Sequence, residues 1–164
     1  MTPFTVWVDA DSCPLVVRNH VATFSRKHAI PVSFVANHAL PLAVRAPLVT
    51  MQVCTQEAQA ADNYIFSRVQ PHDAVITRDI PFAARLVDRG IVVMNDRGTL
   101  FTTENIGERL SERSFSLNLA ELGLTNGGKK SYSQKEFKRF ADCFEREMQK
   151  LLIIAKYGEP RHIL

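Results

Sequence analysis

The sequence predicts an α/β protein: a mostly parallel central sheet with helices packed on both of its faces. Three observations carry this expectation. Short apolar runs alternate with amphipathic stretches as far as residue 94, the order expected of βαβ units. Proline and glycine punctuate the boundaries at Pro14, Pro71, Pro81 and Gly90, where helix starts and stops tolerate them. Hydrophobic residues make up 46% of 164 residues, enough for the core of one ordinary domain.

The elements follow in order. Phe4-Thr5-Val6-Trp7-Val8 reads as a buried strand ending at Asp9. Ser12 is placed to cap the next helix, with Pro14 in its first turn and Val17, Val21 and Phe24 on one face to about Lys27. Residues 31–35 form a second strand, 37–47 a loop or short irregular helix with two prolines, and 49–54 a third strand. A helix over 56–69 stops at Pro71, and Ala74-Val75-Ile76 is a strand closed by Thr77-Arg78-Asp79. Asp79 caps a helix that ends at Gly90, followed by a strand over 91–94 and a turn at Asn95-Asp96-Arg97-Gly98 leading into a short strand at Leu100-Phe101. After Thr103 the chain reads as helical, and the last helix, about 133–154, carries Phe137, Phe140, Phe144, Met148 and Leu151 at helical spacing. Residues 1–150 are read as one domain and 151–164 as a C-terminal tail.

Several function classes are disfavoured. No apolar run approaches the roughly 20 residues that span a bilayer, and no basic leader precedes an apolar stretch, so no membrane partner is expected and a cytoplasmic location follows by default. Three widely spaced cysteines and five scattered histidines argue against a disulfide framework and the usual zinc sites. The net charge of +3 does not by itself diagnose nucleic-acid binding. The basic run from Lys129 to Lys150 reads first as a solvated helix face.

Four aspartates stand out. In an open parallel sheet, ligands bind beyond the carboxyl ends of the strands. Asp9 follows the first strand, Asp11 lies two residues on, and Asp79 follows the 74–76 strand. Asp62 falls inside the apolar stripe of Ala58, Ala61, Ile65, Phe66 and Val69. A buried lone carboxylate costs several kcal/mol or stays protonated, so it needs a partner. Carboxylate oxygens select Mg²⁺ or Mn²⁺, and such ions stabilise phosphoryl charge and activate water. The competing readings are helix capping for Asp11 and Asp79, and pairing of Asp62 with Arg78 or Arg85. Asp73, Asp88 and Asp96 read as ordinary turn or helix-end residues.

Three motifs come close to known sites. The stretch from Val6 to Asp11 resembles the opening D-x-D of haloacid-dehalogenase-type phosphatases, with Asp9 as nucleophile, but the later acidic pair is missing. Cys13 and Arg18 are one residue too close for a cysteine-dependent phosphatase loop. Gly123 to Lys130 lacks the Ser or Thr of a P-loop, although Lys129 and Lys130 are candidates, with Arg78, for contacts to nucleic-acid phosphate.

Taken together, Val8-Asp9-Ala10-Asp11-Ser12-Cys13-Pro14, Ala61-Asp62-Asn63-Tyr64-Ile65, Asp73 to Pro81, Asn105-Ile106, Leu110 with Arg113, and Gly123 with Gly127-Gly128 resemble the YaiI/YqxD family of bacterial proteins. That family is placed with the PIN-like nuclease superfamily, so the resemblance implies a PIN-like three-layer fold and a metal-dependent nuclease, in the first instance a ribonuclease. It also implies that Asp9, Asp62 and Asp79 hold Mg²⁺ or Mn²⁺, with Asp11 holding the ion or orienting a water. No fourth acid matches, though Asn95 or Asp96 falls near its place. The partner implied is RNA or single-stranded nucleic acid, and a homodimer is compatible with the sequence. The alternatives are a non-catalytic metal- or RNA-binding module and a phosphatase that uses Asp9.

Overall fold

The computed structural model describes residues 3–42, 44–123 and 131–159. The elements run β1 (Val6–Asp9), α1 (Leu15–His28), β2 (Val32–Ala36), β3 (Val49–Val53), α2 (Ala60–Arg68), β4 (Ala74–Ile76), α3 (Ile80–Val87), β5 (Val92–Met94), β6 (Leu100–Phe101), α4 (Ile106–Glu121) and α5 (Gln134–Tyr157). One six-stranded sheet has the order β3-β2-β1-β4-β5-β6. Every neighbouring pair is parallel except β5 with β6, which is antiparallel. The expected α/β architecture, mostly parallel with helices on both faces, is the one observed.

Alternation along the strands divides the core into two. Val6, Val8, Phe34, Ile76 and Met94 face one way and pack with Val17, Val21 and Phe24 of α1 and Phe140, Phe144 and Met148 of α5. Val35, Val75 and Val93 face the other way, against Ala61 and Ile65 of α2 and Phe82 and Leu86 of α3. The sheet is therefore the middle of three layers. In the first core, Phe24 and Phe140 both meet Phe144, with ring centroids 5.1 and 5.4 Å away.

Three expectations shift. Pro14, not Ser12, occupies the cap position of α1, in extended conformation, because proline's locked φ suits the residue just outside a first turn as well as one inside it. Helix α2 begins at Ala60 rather than residue 56, since Gln59 adopts a left-handed φ of 66° and breaks the helical path. Helix α5 runs to Tyr157, past the expected end near 154, and buries Leu151 as its spacing predicts. Its start is fixed by a capping box between Ser133 and Glu136.

Asp73 is a buried strut, not merely a turn residue. Its carboxylate accepts from Thr5 N at 2.8 Å, Trp7 Nε1 at 3.0 Å and Gln70 N at 2.9 Å, tying the turn before β4 to β1. Gly98, in the β5–β6 turn, has φ +83° and lies so close to α5 that a Cβ there would stand 2.4 Å from the Arg139 carbonyl oxygen.

Candidate functional site

The strand order sets the site. β1 lies between β2 and β4: the chain builds the sheet outward from β1 on one side, then returns to extend it on the other. A crevice opens at the carboxyl ends of the strands where such an order reverses. Asp9 is the last residue of β1. It shares the parity of Trp7, which packs on the α2 and α3 side, so its side chain leaves the sheet on that side. Asp62 sits in the first turn of α2 and Asp79 is the cap residue of α3. Three elements thus deliver three carboxylates to one end of one face.

Burial and like charge push two of these carboxyls up. Asp62, 8% exposed, has its pKa pushed up to about 7 by burial first, then by the charges of Asp9 and Asp79 and a hydrogen bond with Asp79. A carboxyl–carboxyl hydrogen bond requires a proton between the two groups. Asp9 is pushed up to about 6, mainly by burial; the Thr77 hydrogen bond opposes this, and the charges of Asp11 and Asp79 add to it. Neither Arg78 nor Arg85 pairs with Asp62. Arg85 lies over the Phe66 ring at 4.0 Å, and Arg78 is engaged with Asp96.

The remaining groups hold these acids in place. The Thr77 hydroxyl donates to Asp9 Oδ2 at 2.9 Å while its oxygen accepts from Asp79 N at 3.0 Å. Asp79 Oδ1 accepts from Phe82 N at 2.9 Å, the ordinary action of a helix cap. Asp11 is turned toward the end of β2: both its oxygens lie 3.0 Å from Asn37 N, and His38 Nδ1 is 3.3 Å from Oδ1. It therefore ties two strand-end loops together and is not free as the second acid of a D-x-D phosphatase.

Arg78, expected as a phosphate contact, gives its guanidinium to Asp96, with Nε and Nη2 at 2.7 and 2.6 Å from Oδ2. Asp96 is buried, and its Oδ1 has no hydrogen-bond partner among the described residues. It lines, with Asp9, Cys13, Thr77 and Arg78, a crevice too tight to admit water. The reading of Asp96 as an ordinary turn residue is corrected: it is a buried acid beside the cluster. Cys13 is buried and its thiol is pushed up to about 12, by burial first and the Asp96 charge next, so it is an inert packing residue. Lys129 and Lys130 lie outside the described residues.

Thr77, His38 and Asp96 were not singled out as site residues from the sequence. Each follows the carboxyl end of a parallel strand (β4, β2 and β5), and that position is the signal that finds them.

Among the described residues, no group of three or more His, Cys, Asp or Glu side chains is arranged as a metal cage. The donor chemistry nevertheless fits a hard divalent ion, since it consists only of carboxylates.

A family model described as "Uncharacterized BCR, YaiI/YqxD family" matches residues 7–150. The chain belongs to this family. Among YaiI/YqxD relatives, a UPF0178 protein of Myxococcus xanthus (strain DK1622) is 42% identical over 147 residues, covering 90% of this chain and 95% of the relative. A UPF0178 protein of Psychromonas ingrahamii is 42% identical over 146 residues, 89% of this chain and 96% of its own. One from Treponema pallidum (strain Nichols) is 42% identical over 157 residues, 96% and 88% respectively. No solved structure gives a significant match.

Proposed function

We propose that the protein is a Mg²⁺- or Mn²⁺-dependent phosphodiester hydrolase acting on RNA or single-stranded nucleic acid. Asp9, Asp62 and Asp79 would hold the ion. The carrying observation is Asp62: a buried carboxyl set among the charges of Asp9 and Asp79, which raise its pKa beyond what burial does. The PIN-like placement that the sequence resemblance implies agrees with this reading.

A divalent ion bound there would neutralise phosphoryl charge and lower the pKa of a water. The chain's own residues do the positioning. Thr77 fixes one oxygen of Asp9 and the backbone of Asp79. The Phe82 N–H fixes Asp79 Oδ1. Asp11 braces the β1–α1 turn against the loop after β2 and brings His38 to the rim.

The test is hydrolysis of mixed RNA and single-stranded DNA with Mn²⁺. Cleavage is expected in the wild type, abolished by chelator and reduced by at least about 10²-fold in Asp9→Asn, the scale on which preorganised charge stabilisation acts. Equal activity in the variant contradicts the assignment. Tight RNA binding without turnover under any divalent ion refutes hydrolysis and leaves a binding module.

A further inference from the structure

A second feature adjoins the acids and has the opposite sign. A cleft of about 390 Å³ opens between the β5–β6 turn and α4, and Arg78, Arg97, Arg109 and Arg113 line it. Helix α4 explains the cleft. It is 16 residues long and buries none of them, although a helix docked on a domain ordinarily turns an apolar stripe inward. Here Arg109, Arg113 and Ser116, spaced i, i+4 and i+7 along one face, line the cleft instead. The packing of α4 through Ile106 leaves these arginines at the cleft rim, where they face solvent.

The charges are only partly met. Arg78 is neutralised by Asp96. Arg109 has a 3.5 Å contact with Glu112, and both side chains are well exposed, so this pair is weak. Arg97 and Arg113 form no ion pair with another described residue. All four cations are arginines and no lysine lines the cleft. Planar guanidinium forks match phosphate oxygens two at a time, which an ammonium does not. The cleft also adjoins the acids: Arg78 and Asp96 line both it and the crevice beside Asp9.

We propose that this cleft binds the phosphate backbone of single-stranded nucleic acid beside the acidic centre. The proposal rests on the phosphodiester-hydrolase reading, because the adjoining acids are what single out a phosphodiester among polyanions. Arg97 and Arg113 carry the binding; Arg78, already paired, orients the cleft wall.

The experiment measures fluorescence anisotropy of labelled oligouridylate with the full chain in chelator, so that binding is read without turnover. Arg97→Ala/Arg113→Ala removes two exposed cations. Losing two single-strand phosphate contacts lowers the slope of log affinity against log salt by about 1.4 and weakens binding about 25-fold near 0.1 M salt. Arg97→Lys/Arg113→Lys should regain part of the affinity and most of the slope. Affinity of the alanine variant within about twofold of wild type overturns the proposal, as does displacement of the RNA by polyglutamate as effective as by unlabelled oligouridylate. If the wild type binds through these arginines yet cleaves nothing, the cleft stands and the hydrolase reading falls. If it cleaves and the alanine variant binds and cleaves alike, the cleft falls and the hydrolase reading stands.

Discussion

The acid cluster makes a prediction that needs no substrate. In the folded chain Asp62 titrates near 7, against an ordinary value of 3.8. Below about pH 4, folded and unfolded chains both carry the Asp62 proton, and the group does not bias folding. As pH rises from about 4 to 7, the unfolded chain releases that proton and the folded chain keeps it, so stability falls with pH. Above about 7 both forms are ionised and the loss levels off. A rise of about three units, from 3.8 to about 7, corresponds to about 4 kcal/mol lost across that window. Asp9, raised to about 6, titrates in the same range, and the two losses are not additive because the Asp9 charge contributes to the Asp62 shift. The perturbation is Asp62→Asn, which keeps the shape and can donate to Asp79 without ionising. Urea melts at half-unit steps from pH 4 to 8.5, in chelator, give stability for both chains. The wild type should lose about 4 kcal/mol relative to the variant between pH 4 and 7.5. Parallel profiles, or a wild type gaining stability relative to the variant over that range, would refute the argument that Asp62 is an uncompensated buried acid.

Three further outcomes follow. Mn²⁺ at about 100 times its dissociation constant should stabilise the wild type by about 2.7 kcal/mol, more at pH 8 than at pH 6 because protons compete for the same oxygens; thermal melts read this, and an equal shift in Asp9→Asn places the ion elsewhere. Asp73→Ala strands three donors and should cost about 3 kcal/mol while leaving the Mn²⁺ response intact; chemical denaturation with and without the ion measures both, and a loss under about 1 kcal/mol removes the strut role. Gly98→Ala forces a Cβ against the Arg139 carbonyl at positive φ and should cost about 2–4 kcal/mol; a neutral effect in the same assay would mean that the turn does not abut α5.

How far the sequence reaches depends on how local the cause is. The strands were legible because each is a short run bounded by its own turn residues, and the inward face of Asp62 was legible because a 100° step from Ala61 and Ile65 fixes it. The start of α2 was not, since it turns on one left-handed residue, Gln59, whose side chain signals nothing of the kind. Nor was the burial of Asp96. It depends on Arg78, 18 positions earlier, folding over it, and turn composition alone describes an exposed residue equally well. Helix α4 reads as helical from the sequence, but its lack of any buried residue becomes visible only once its neighbours are placed.

Asp73 supplies the control for Asp62. Both are buried acids within one fold. The fold surrounds Asp73 with three N–H donors, which is how a carboxylate is made tolerable when its role is to hold backbone together. Asp9 has the Thr77 hydroxyl, Asp79 the Phe82 N–H and Asp11 the Asn37 N–H. Asp62, the one of these four with a buried side chain, has another acid as its hydrogen-bonding neighbour, and the Arg85 charge does not outweigh burial and the charges of Asp9 and Asp79. A fold that satisfies one buried acid so fully does not lack the means to satisfy a second. Replacing Asp62 with a neutral side chain would remove an electrostatic penalty at neutral pH and leave the packing of α2 on the sheet, held by Ala61 and Ile65, unchanged. The proposed divalent cation, bound among these oxygens at the carboxyl ends of parallel strands, would remove that penalty.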